Sequence, residues 1–299
     1  MKKKVALHQI DTFTEKNFQG CSTSIILGAE KLKDDELSKI AMELGTHRLA
    51  FTYPSDKGDL RLRFFIKEGS EVKFCSSGAL AALTVFGERG LLNMKKEQSY
   101  PVDIETRAGL IPHTLDMSKK PSFLIGFDVP NLNIVDCPID IARISEELFL
   151  SKELFEKELK PQFETSRRIL FLPVKSLESL AMLDFDPRLC RSFIRELNIY
   201  VLAFVSLETI DPESSLHVRS FSPLISDEEE LFDGSLHGAL GAYLHHNNKD
   251  FKNESIVTEQ GDFLERPGRA MIQIKNFKTS FTSEVKGYAT PLFSTELPL

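Results

Sequence analysis

The sequence has no tryptophan, only four cysteines and no hydrophobic run long enough to cross a membrane. Its longest apolar run, residues 199–205, is far shorter than the roughly 20 residues that a spanning helix needs. The cysteines are widely spaced and form no CxxC pair, which is typical of a reducing compartment. The N-terminal residues do not follow the pattern of a signal peptide. These absences predict a cytoplasmic protein that does not contact membranes.

Basic residues are also in short supply, with 37 Lys and Arg against 44 Asp and Glu and a net charge of −7. Nucleic-acid binders neutralise phosphates with excess Lys and Arg, so we expect no nucleic-acid partner. The fractions of hydrophobic residues (41%) and charged residues (27%) are ordinary for a globular protein. A chain of 299 residues exceeds the size at which one core stops growing, so about two domains are expected.

Local patterns predict a mixture of strands and helices. Runs rich in β-branched residues and phenylalanine predict strands at residues 24–27, 60–66, 169–174, 199–205, 216–221 and 270–274. Helical periodicity predicts helices over residues 34–44, 141–160 and 186–197. The elements do not alternate strictly, and no glycine-rich nucleotide-binding turn occurs, so the predicted class is α+β.

The two halves of the chain echo each other. A strand carrying Arg63 leads to residues 74–82, and a strand carrying Arg219 leads to residues 232–242. Both later segments open with polar residues and continue with Ala, Gly and Leu, which predicts two buried central helices. The starts of two such helices would expose N–H groups and form an anion site. Alternatively, the serines of these turns only cap the helices: Ser76, Ser77 and Ser235.

Six segments carry a family resemblance. A VDVFT…FxGNP-like segment lies at residues 10–22, an NLSETAF-like segment at 45–51 and an FCGHAT-like block at 74–82; an EDPATGSA-like block follows at 229–244, and EQG…RPSR-like segments at 259–261 and 266–269. On these segments the chain resembles the PhzF-like phenazine-biosynthesis isomerases, which share the diaminopimelate-epimerase fold. The resemblance implies two pseudo-symmetric domains, each a strongly curved, mostly antiparallel, barrel-like sheet around a central helix. The expected domains are residues 1–118 and 119–299, and the C-terminal tail could return to the first half.

The resemblance also implies a reaction, a homodimer and no cofactor. The reaction expected is an isomerisation or epimerisation that moves a proton on a small carboxylate-bearing metabolite in a cleft between the domains. The family's catalytic glutamate falls on Arg48 and its CGHA histidine on Ser77. Glu230 keeps the carboxylate of EDP and is the surviving candidate acid or base. The predicted carboxylate-binding turns are Ser76-Ser77-Gly78 and Gly234-Ser235. The alternative is a degenerate member that only binds small anions or interacts with other proteins.

Arg48 cannot replace the glutamate as a base, because a guanidinium stays protonated in proteins. It could hold a substrate carboxylate through two hydrogen bonds, or it could form a salt bridge at a surface or interface. If Arg48 faces inward, strand alternation turns its neighbour His47 away. A slip of one residue would exchange the two, so His47 is a second candidate for the substrate site.

Cys75 and Asp233 fall where the related two-cysteine epimerases carry their two thiols. A thiol at a helix N-terminus can be reactive, although Cys75 could equally be a small packing residue. A Cys75/Asp233 or Glu230/Asp233 pair would be a new acid–base arrangement. His237 is expected to be a core histidine. The His245-His246 pair lacks a third ligand at suitable spacing, so no metal site is predicted.

Overall fold

The computed structural model describes residues 4–92, 99–157, 159–247, 255–276 and 281–299. The helices are α1 (Asp34–Leu44), α2 (Ser76–Arg89), α3 (Ile141–Glu147), α4 (Leu177–Ala181), α5 (Arg191–Glu196) and α6 (Gly234–His246). The strands of the first part are β1 (Lys4–Thr12), β2 (Cys21–Leu27), β3 (Arg48–Tyr53), β4 (Leu60–Ile66), β5 (Glu71–Val72), β6 (Ser99–Thr106), β7 (Gly109–Asp116) and β8 (Phe123–Leu132). The later strands are β9 (Ile134–Asp136), β10 (Gln162–Glu164), β11 (Ile169–Pro173), β12 (Val201–Ser206), β13 (Leu216–Phe221), β14 (Ile256–Gln260), β15 (Gly268–Asn276) and β16 (Phe281–Pro298).

The described chain divides into two compact units. The first contains residues up to Asp128, Asp233–Ser235 and Lys286–Leu299; the second contains Val129–Phe232 and Leu236–Val285. The sequence placed a boundary between residues 118 and 119, in the segment that connects β7 to β8. The units divide later, inside β8, because the first half of that strand continues the sheet of the first unit. Within the residues that the structure describes, no helix is long and apolar enough to cross a membrane.

In the first unit, eight strands form a closed ring in the order β1-β2-β3-β4-β6-β7-β8-β16, and β16 pairs back with β1. A closed ring leaves no open sheet edge along it. The central element is α2, whose residues from Ser76 to Val85 are all buried. Small side chains make this possible: a Cβ on Gly78 would lie 2.6 Å from the Phe64 ring and 3.3 Å from the Ala50 Cβ.

The strands of the ring alternate between two apolar faces. Ala50 and Phe64 contact α2 inside the ring. Their neighbours along the strands, Leu49 and Phe65, belong instead to a buried cluster with the apolar face of α1. Because successive strand residues point to opposite faces, β3 and β4 carry buried residues on both faces.

The second unit repeats the pairing of the first. From β1 to β7 the successive pairs are antiparallel, parallel, antiparallel, parallel and antiparallel. From β10 to β15 the order is the same. In each series the small-residue helix follows the fourth strand of its series: α2 comes after β4, and α6 after β13. The α+β class and the repeat expected from the sequence are confirmed.

Most of the predicted elements are present, but two helices are shorter than predicted. All six predicted strands occur, and α1 has the predicted limits. The predicted helix over 141–160 is wrong after Glu147, since Phe149 adopts φ 57° and residues 152–154 form a separate 3₁₀ turn; residue 158 lies outside the described residues. The predicted helix over 186–197 begins only at Arg191. A left-handed residue such as Phe149 ends a helix because it cannot continue the i→i−4 hydrogen bonds.

Candidate functional site

The start of α2 is capped by Cys75. The Cys75 backbone is extended (φ −145°, ψ 114°), and its Sγ accepts the N–H of Gly78 at 3.4 Å. A side chain that takes this N–H fulfils the role of an N-cap, which Ser, Thr and Asp usually perform with oxygen. Cys75 is therefore fixed at the positive end of a buried helix.

Asp233 has the matching position at the start of α6 and belongs to the first unit. Its Oδ1 accepts the N–H of Ser235 at 2.9 Å. The Ser76 hydroxyl lies 3.5 Å from the same Oδ1 and accepts the N–H of Gly234 at 3.1 Å. The two helix starts therefore contact each other through Ser76, and the serine turn predicted for anion binding is partly a structural link.

Three N–H groups of these turns, those of Gly78, Gly234 and Ser235, are thus already bonded to protein acceptors. Ser77 is only 2% exposed. Anion binding by the Ser76-Ser77 end of α2 remains a prediction.

Arg48 and Asp233 both act on the Cys75 thiol electrostatically. Burial raises the pKa of Cys75 to about 12; the nearby Arg48 charge opposes this rise, as does the Gly78 N–H, whereas Cys21 and Asp233 add to it. Burial is the largest cause because it removes water from the thiolate. Cys75 is therefore a protonated thiol at neutral pH, and its surroundings contain one cation and one carboxylate.

The position of Arg48 follows from strand alternation. Arg48 is two residues before Ala50, which faces α2, so both project from the same face of β3. Nη1 of its guanidinium donates to the backbone carbonyl of His47 at 3.0 Å. His47 precedes the strand and is partly buried. Arg48 is thus the residue whose charge reaches Cys75, and the proposed substrate role of His47 remains a prediction.

The Phe13 ring packs against Gly234 at the start of α6, a role that the sequence did not indicate. It is fully buried and has a left-handed backbone, with φ 61°. A Cβ on Gly234 would lie 2.6 Å from its Cζ and 3.0 Å from the Cζ of Phe127, and a Cβ on Gly287 would lie 2.4 Å from its Cδ1. The Phe13 ring therefore occupies space that exists only because two glycines lack side chains.

Glu230 belongs to the second unit. It is 8% exposed, its N–H donates to the Ser220 carbonyl at 2.9 Å, and its carbonyl accepts from Gln260 Nε2 at 3.0 Å. The backbone at Glu230 is therefore held on both sides. The catalytic role expected for its carboxylate remains a prediction.

Arg63 and Arg219, the arginines of the internal repeat, each form ion pairs within their own unit. Arg63 forms two hydrogen bonds with Glu71, at 2.9 and 2.8 Å, and its guanidinium lies 5.7 Å from the Phe65 ring centre. In the second unit, Arg219 bonds Glu229 at 3.0 and 2.6 Å and lies 5.7 Å from the ring centre of Phe221. The same Arg–Phe–Glu arrangement therefore occurs twice, and neither arginine is part of the helix-start cluster.

The comparisons with known proteins agree with this architecture. The family model described as "Phenazine biosynthesis-like protein" matches residues 10–295. An uncharacterized isomerase, YfhB, of Bacillus subtilis is 26% identical over 275 residues and covers 91% of both chains. A crystal structure of a PhzF-family phenazine biosynthesis protein of Bacillus anthracis has a TM-score of 0.88 at 24% identity, covering 99% of this chain and 100% of the other.

A more distant structure extends the fold relationship. The hydroxyproline epimerase of Agrobacterium vitis, solved with bound trans-4-hydroxy-L-proline, has a TM-score of 0.65 at 13% identity and covers 100% of this chain and 94% of its own. At that identity only the fold is shared. The matches confirm the resemblance and the epimerase-like fold that the sequence indicated.

Proposed function

Because the chain belongs to the family of phenazine biosynthesis-like proteins, whose relatives include named isomerases, we propose that it is a cofactor-independent isomerase or epimerase. Its substrate is a small carboxylate-bearing metabolite, and the reaction moves a proton on the carbon next to that carboxylate. The observation that supports this proposal is the cluster at the two helix starts, where Cys75, Ser76 and Asp233 lie together near the charge of Arg48.

In the proposed reaction, the Asp233 carboxylate removes the proton from carbon. The electron pair left behind is delocalised into the substrate carboxylate, and this developing charge needs preorganised positive partners. The Cys75 thiol then donates its proton to the same carbon, which forms the new C–H bond and leaves a thiolate. Solvent takes the proton from Asp233 and returns one to Cys75, so that atoms and charge balance over the cycle.

The Cys75 thiol suits proton donation, and the Asp233 carboxylate suits proton removal. A thiol that stays protonated can act as an acid and a carboxylate can act as a base, and a pair of this kind is what a proton shift on carbon requires. Both residues also sit at helix starts, where the dipole stabilises negative charge. A thiolate formed during turnover is therefore stabilised there, and the Arg48 charge adds to the effect.

Substrate binding is proposed to use Arg48 and the Ser76-Ser77 end of α2. Arg48 presents a planar fork that matches a carboxylate, and Ser77 contributes its N–H and hydroxyl donors. Gly234 and Ser235 act indirectly in this scheme, because their N–H groups are bonded to Ser76 and Asp233 and hold those side chains in place.

The test is incorporation of solvent deuterium into a panel of amino acids and hydroxy acids. We expect the wild type to label at least one acid, and Asp233→Asn to reduce kcat by about 10²–10⁴-fold. Asparagine is also a good N-cap, so the fold is expected to persist. Asp140→Asn is the matched control, since Asp140 caps α3 through the N–H of Arg143 at 2.8 Å. Absence of labelling by the wild type across acids that bind would refute the proposal.

Two further variants test the roles of Arg48 and Glu230. Arg48→Met is expected to raise KM, and also to lower kcat because the Arg48 charge stabilises the thiolate. Arg61→Met, at an exposed position near the Tyr53 ring, is expected to change neither. Glu230→Gln tests the carboxylate that the sequence favoured. If Glu230→Gln abolishes labelling while Asp233→Asn does not, Glu230 is the base and the assignment to Asp233 is wrong.

The second candidate function is small-anion binding without turnover. Arg48 favours it, because a permanent cation stands where the family places its proton-transferring glutamate. In that case Arg48→Met would weaken binding of a carboxylate, whereas Cys75→Ser and Asp233→Asn would leave it unchanged. Equilibrium binding and deuterium incorporation, measured on the same acids, distinguish the two functions.

A further inference from the structure

A second polar cluster lies inside the second unit, and the proposed reaction leaves it without a role. His237, Thr258 and Gln260 are each 0% exposed. The His237 Nδ1 lies 2.6 Å from Thr258 Oγ1, and its Nε2 lies 2.9 Å from Gln260 Oε1. Gln260 Nε2 in turn donates to the Ser220 hydroxyl at 2.8 Å and to the Glu230 carbonyl at 3.0 Å.

The hydrogen bonds determine the tautomer of His237. The Glu230 carbonyl can only accept, so the nitrogen of the Gln260 amide must face it. The Gln260 oxygen then faces His237, and Nε2 of the imidazole must carry the proton. Nδ1 consequently accepts from the Thr258 hydroxyl. Burial lowers the pKa of His237 to about 3, which agrees with a neutral ring.

The same histidine also packs against the segment that Gln260 holds. Its ring is stacked on Phe232, with 3.9 Å between ring centres and an angle of 11°. On another side of Phe232, a Cβ on Gly268 would lie 2.7 Å from the phenylalanine Cδ2. Phe232 is 1% exposed. The backbone of residue 230 and the side chain of residue 232 are thus both held by one hydrogen-bonded unit.

Residues 230–232 lead directly into Asp233, so whatever holds this segment also limits where Asp233 can lie. We propose that His237 and Gln260 are positioning residues for the proton transfer: they hold residues 230–232 and so set the point from which Asp233 starts α6. This inference rests on the proposed function. The chemistry of the two residues fits such a role, since a neutral histidine and an amide can fix a backbone without adding charge to it.

The experiment compares Gln260→Leu with Gln162→Leu. Gln162 is also buried, at 2% exposure, and bonds Asp136 at 3.0 Å and Asn247 at 2.7 Å, away from residues 230–232. In Gln260→Leu we expect amide hydrogen exchange at residues 230–232 to become about tenfold faster or more. We also expect kcat for deuterium incorporation to fall about tenfold, with KM within about twofold of wild type. Gln162→Leu should change neither quantity.

Variants of His237 test the proposed positioning role while the side-chain amide of Gln260 stays in place. His237→Gln retains a donor that can reach Gln260 Oε1, whereas His237→Leu does not, so kcat should recover in His237→Gln relative to His237→Leu. Histidine ¹⁵N chemical shifts of the wild type should show a protonated Nε2 and an unprotonated Nδ1 at pH 5.

Several outcomes would overturn the inference. Unchanged hydrogen exchange at residues 230–232 in Gln260→Leu would show that the amide does not hold the segment. Faster exchange with wild-type kcat would show that the segment does not position the base. A wild type that incorporates no deuterium would instead refute the proposed function itself, so the two failures are distinguishable.

Discussion

The space behind Gly234 offers a direct test of how the helix-start cluster is built. Replacing Gly234 by alanine places a methyl group 2.6 Å from the Phe13 Cζ and 3.0 Å from the Phe127 Cζ. Carbon atoms in contact prefer about 3.5–4.0 Å, so the ring or the start of α6 must move by about 1 Å. Phe13 cannot yield freely, because it is fully buried and Gly287 leaves no room on the other side of its ring.

The expected cost follows from this geometry. Overpacking of a filled core costs about 1–3 kcal/mol, and the better helix propensity of alanine returns at most about 1 kcal/mol. We therefore expect Gly234→Ala to lower the free energy of unfolding by about 1–2 kcal/mol. Because the Gly234 N–H bonds Ser76, the displacement should also weaken carboxylate binding.

Urea unfolding monitored by circular dichroism measures this cost in a chain without tryptophan. Gly87→Ala is the comparison. Its added Cβ would lie 3.1 Å from the flexible Met117 Sδ, 3.2 Å from Leu115 Cδ2 and 3.3 Å from Phe123 Cε1, contacts that side-chain shifts of a few tenths of an ångström relieve, so this variant should stay within about 1 kcal/mol of wild type. Phe13→Leu combined with Gly234→Ala should be less destabilised than the sum of the single variants, by about 1 kcal/mol. A Gly234→Ala protein within about 0.5 kcal/mol of wild type, or strict additivity with Phe13→Leu, would refute the argument.

Two other predictions concern charges of the first unit. With a pKa of about 12, only about one Cys75 thiol in 10⁴ is ionised at pH 8. Iodoacetamide should therefore modify Cys75 at least about 100-fold more slowly than a peptide thiol, and Arg48→Ala should slow this alkylation further. Rapid alkylation of Cys75, measured by site-resolved mass spectrometry, would contradict the prediction. The hydrogen bond from Arg63 holds the pKa of Glu71 below its usual value. Its contribution to stability is therefore complete above about pH 4.5 and is lost as the pH falls through the lowered value. Glu71→Gln should cost about 1.5–3 kcal/mol at pH 7 and much less at pH 3, and an equal cost at both pH values in urea unfolding would show that the charge of Glu71 is irrelevant.

The fold was largely predictable because its signals are local or repeated. The six predicted strands are rich in buried apolar residues, and α1 shows a clear one-sided periodicity. The strands that no run predicted include β16, whose last part contains four consecutive exposed residues, 293–296. That strand is defined by pairing with β1 at the other end of the chain, a contact that local composition cannot show.

The predicted helix over residues 141–160 failed for a related reason. Its apolar residues pack into a buried cluster of the second unit, so their spacing looks helical, yet the backbone turns at Phe149. Tertiary packing there outweighs the intrinsic helix propensity of the segment, which is weak compared with burial of several large side chains.

The candidate site was predictable in its members but not in their connections. The sequence indicated Cys75, Ser76, Asp233 and Gly234, since each opens a small-residue helix. It could not show that Ser76 links the two helix starts, because the residues are far apart in the chain. It also gave no sign of Phe13, whose role depends on a left-handed backbone and on two distant glycines.

The repeat itself separates scaffold from chemistry. Where the two halves agree, the residues stabilise: Arg63 and Arg219 occupy equivalent strands, and each pairs with a glutamate and stacks on a phenylalanine within its own unit. Where the halves differ, the residues are ones that can transfer protons: Cys75 precedes α2, and Asp233 precedes α6. The Cys75 thiol, with a pKa of about 12, is protonated at neutral pH and can donate a proton, while the carboxylate of Asp233 is the proposed acceptor. In the proposed reaction the difference between the halves supplies an acid and a base, and the repeated arrangement of strands and helices places both at helix starts.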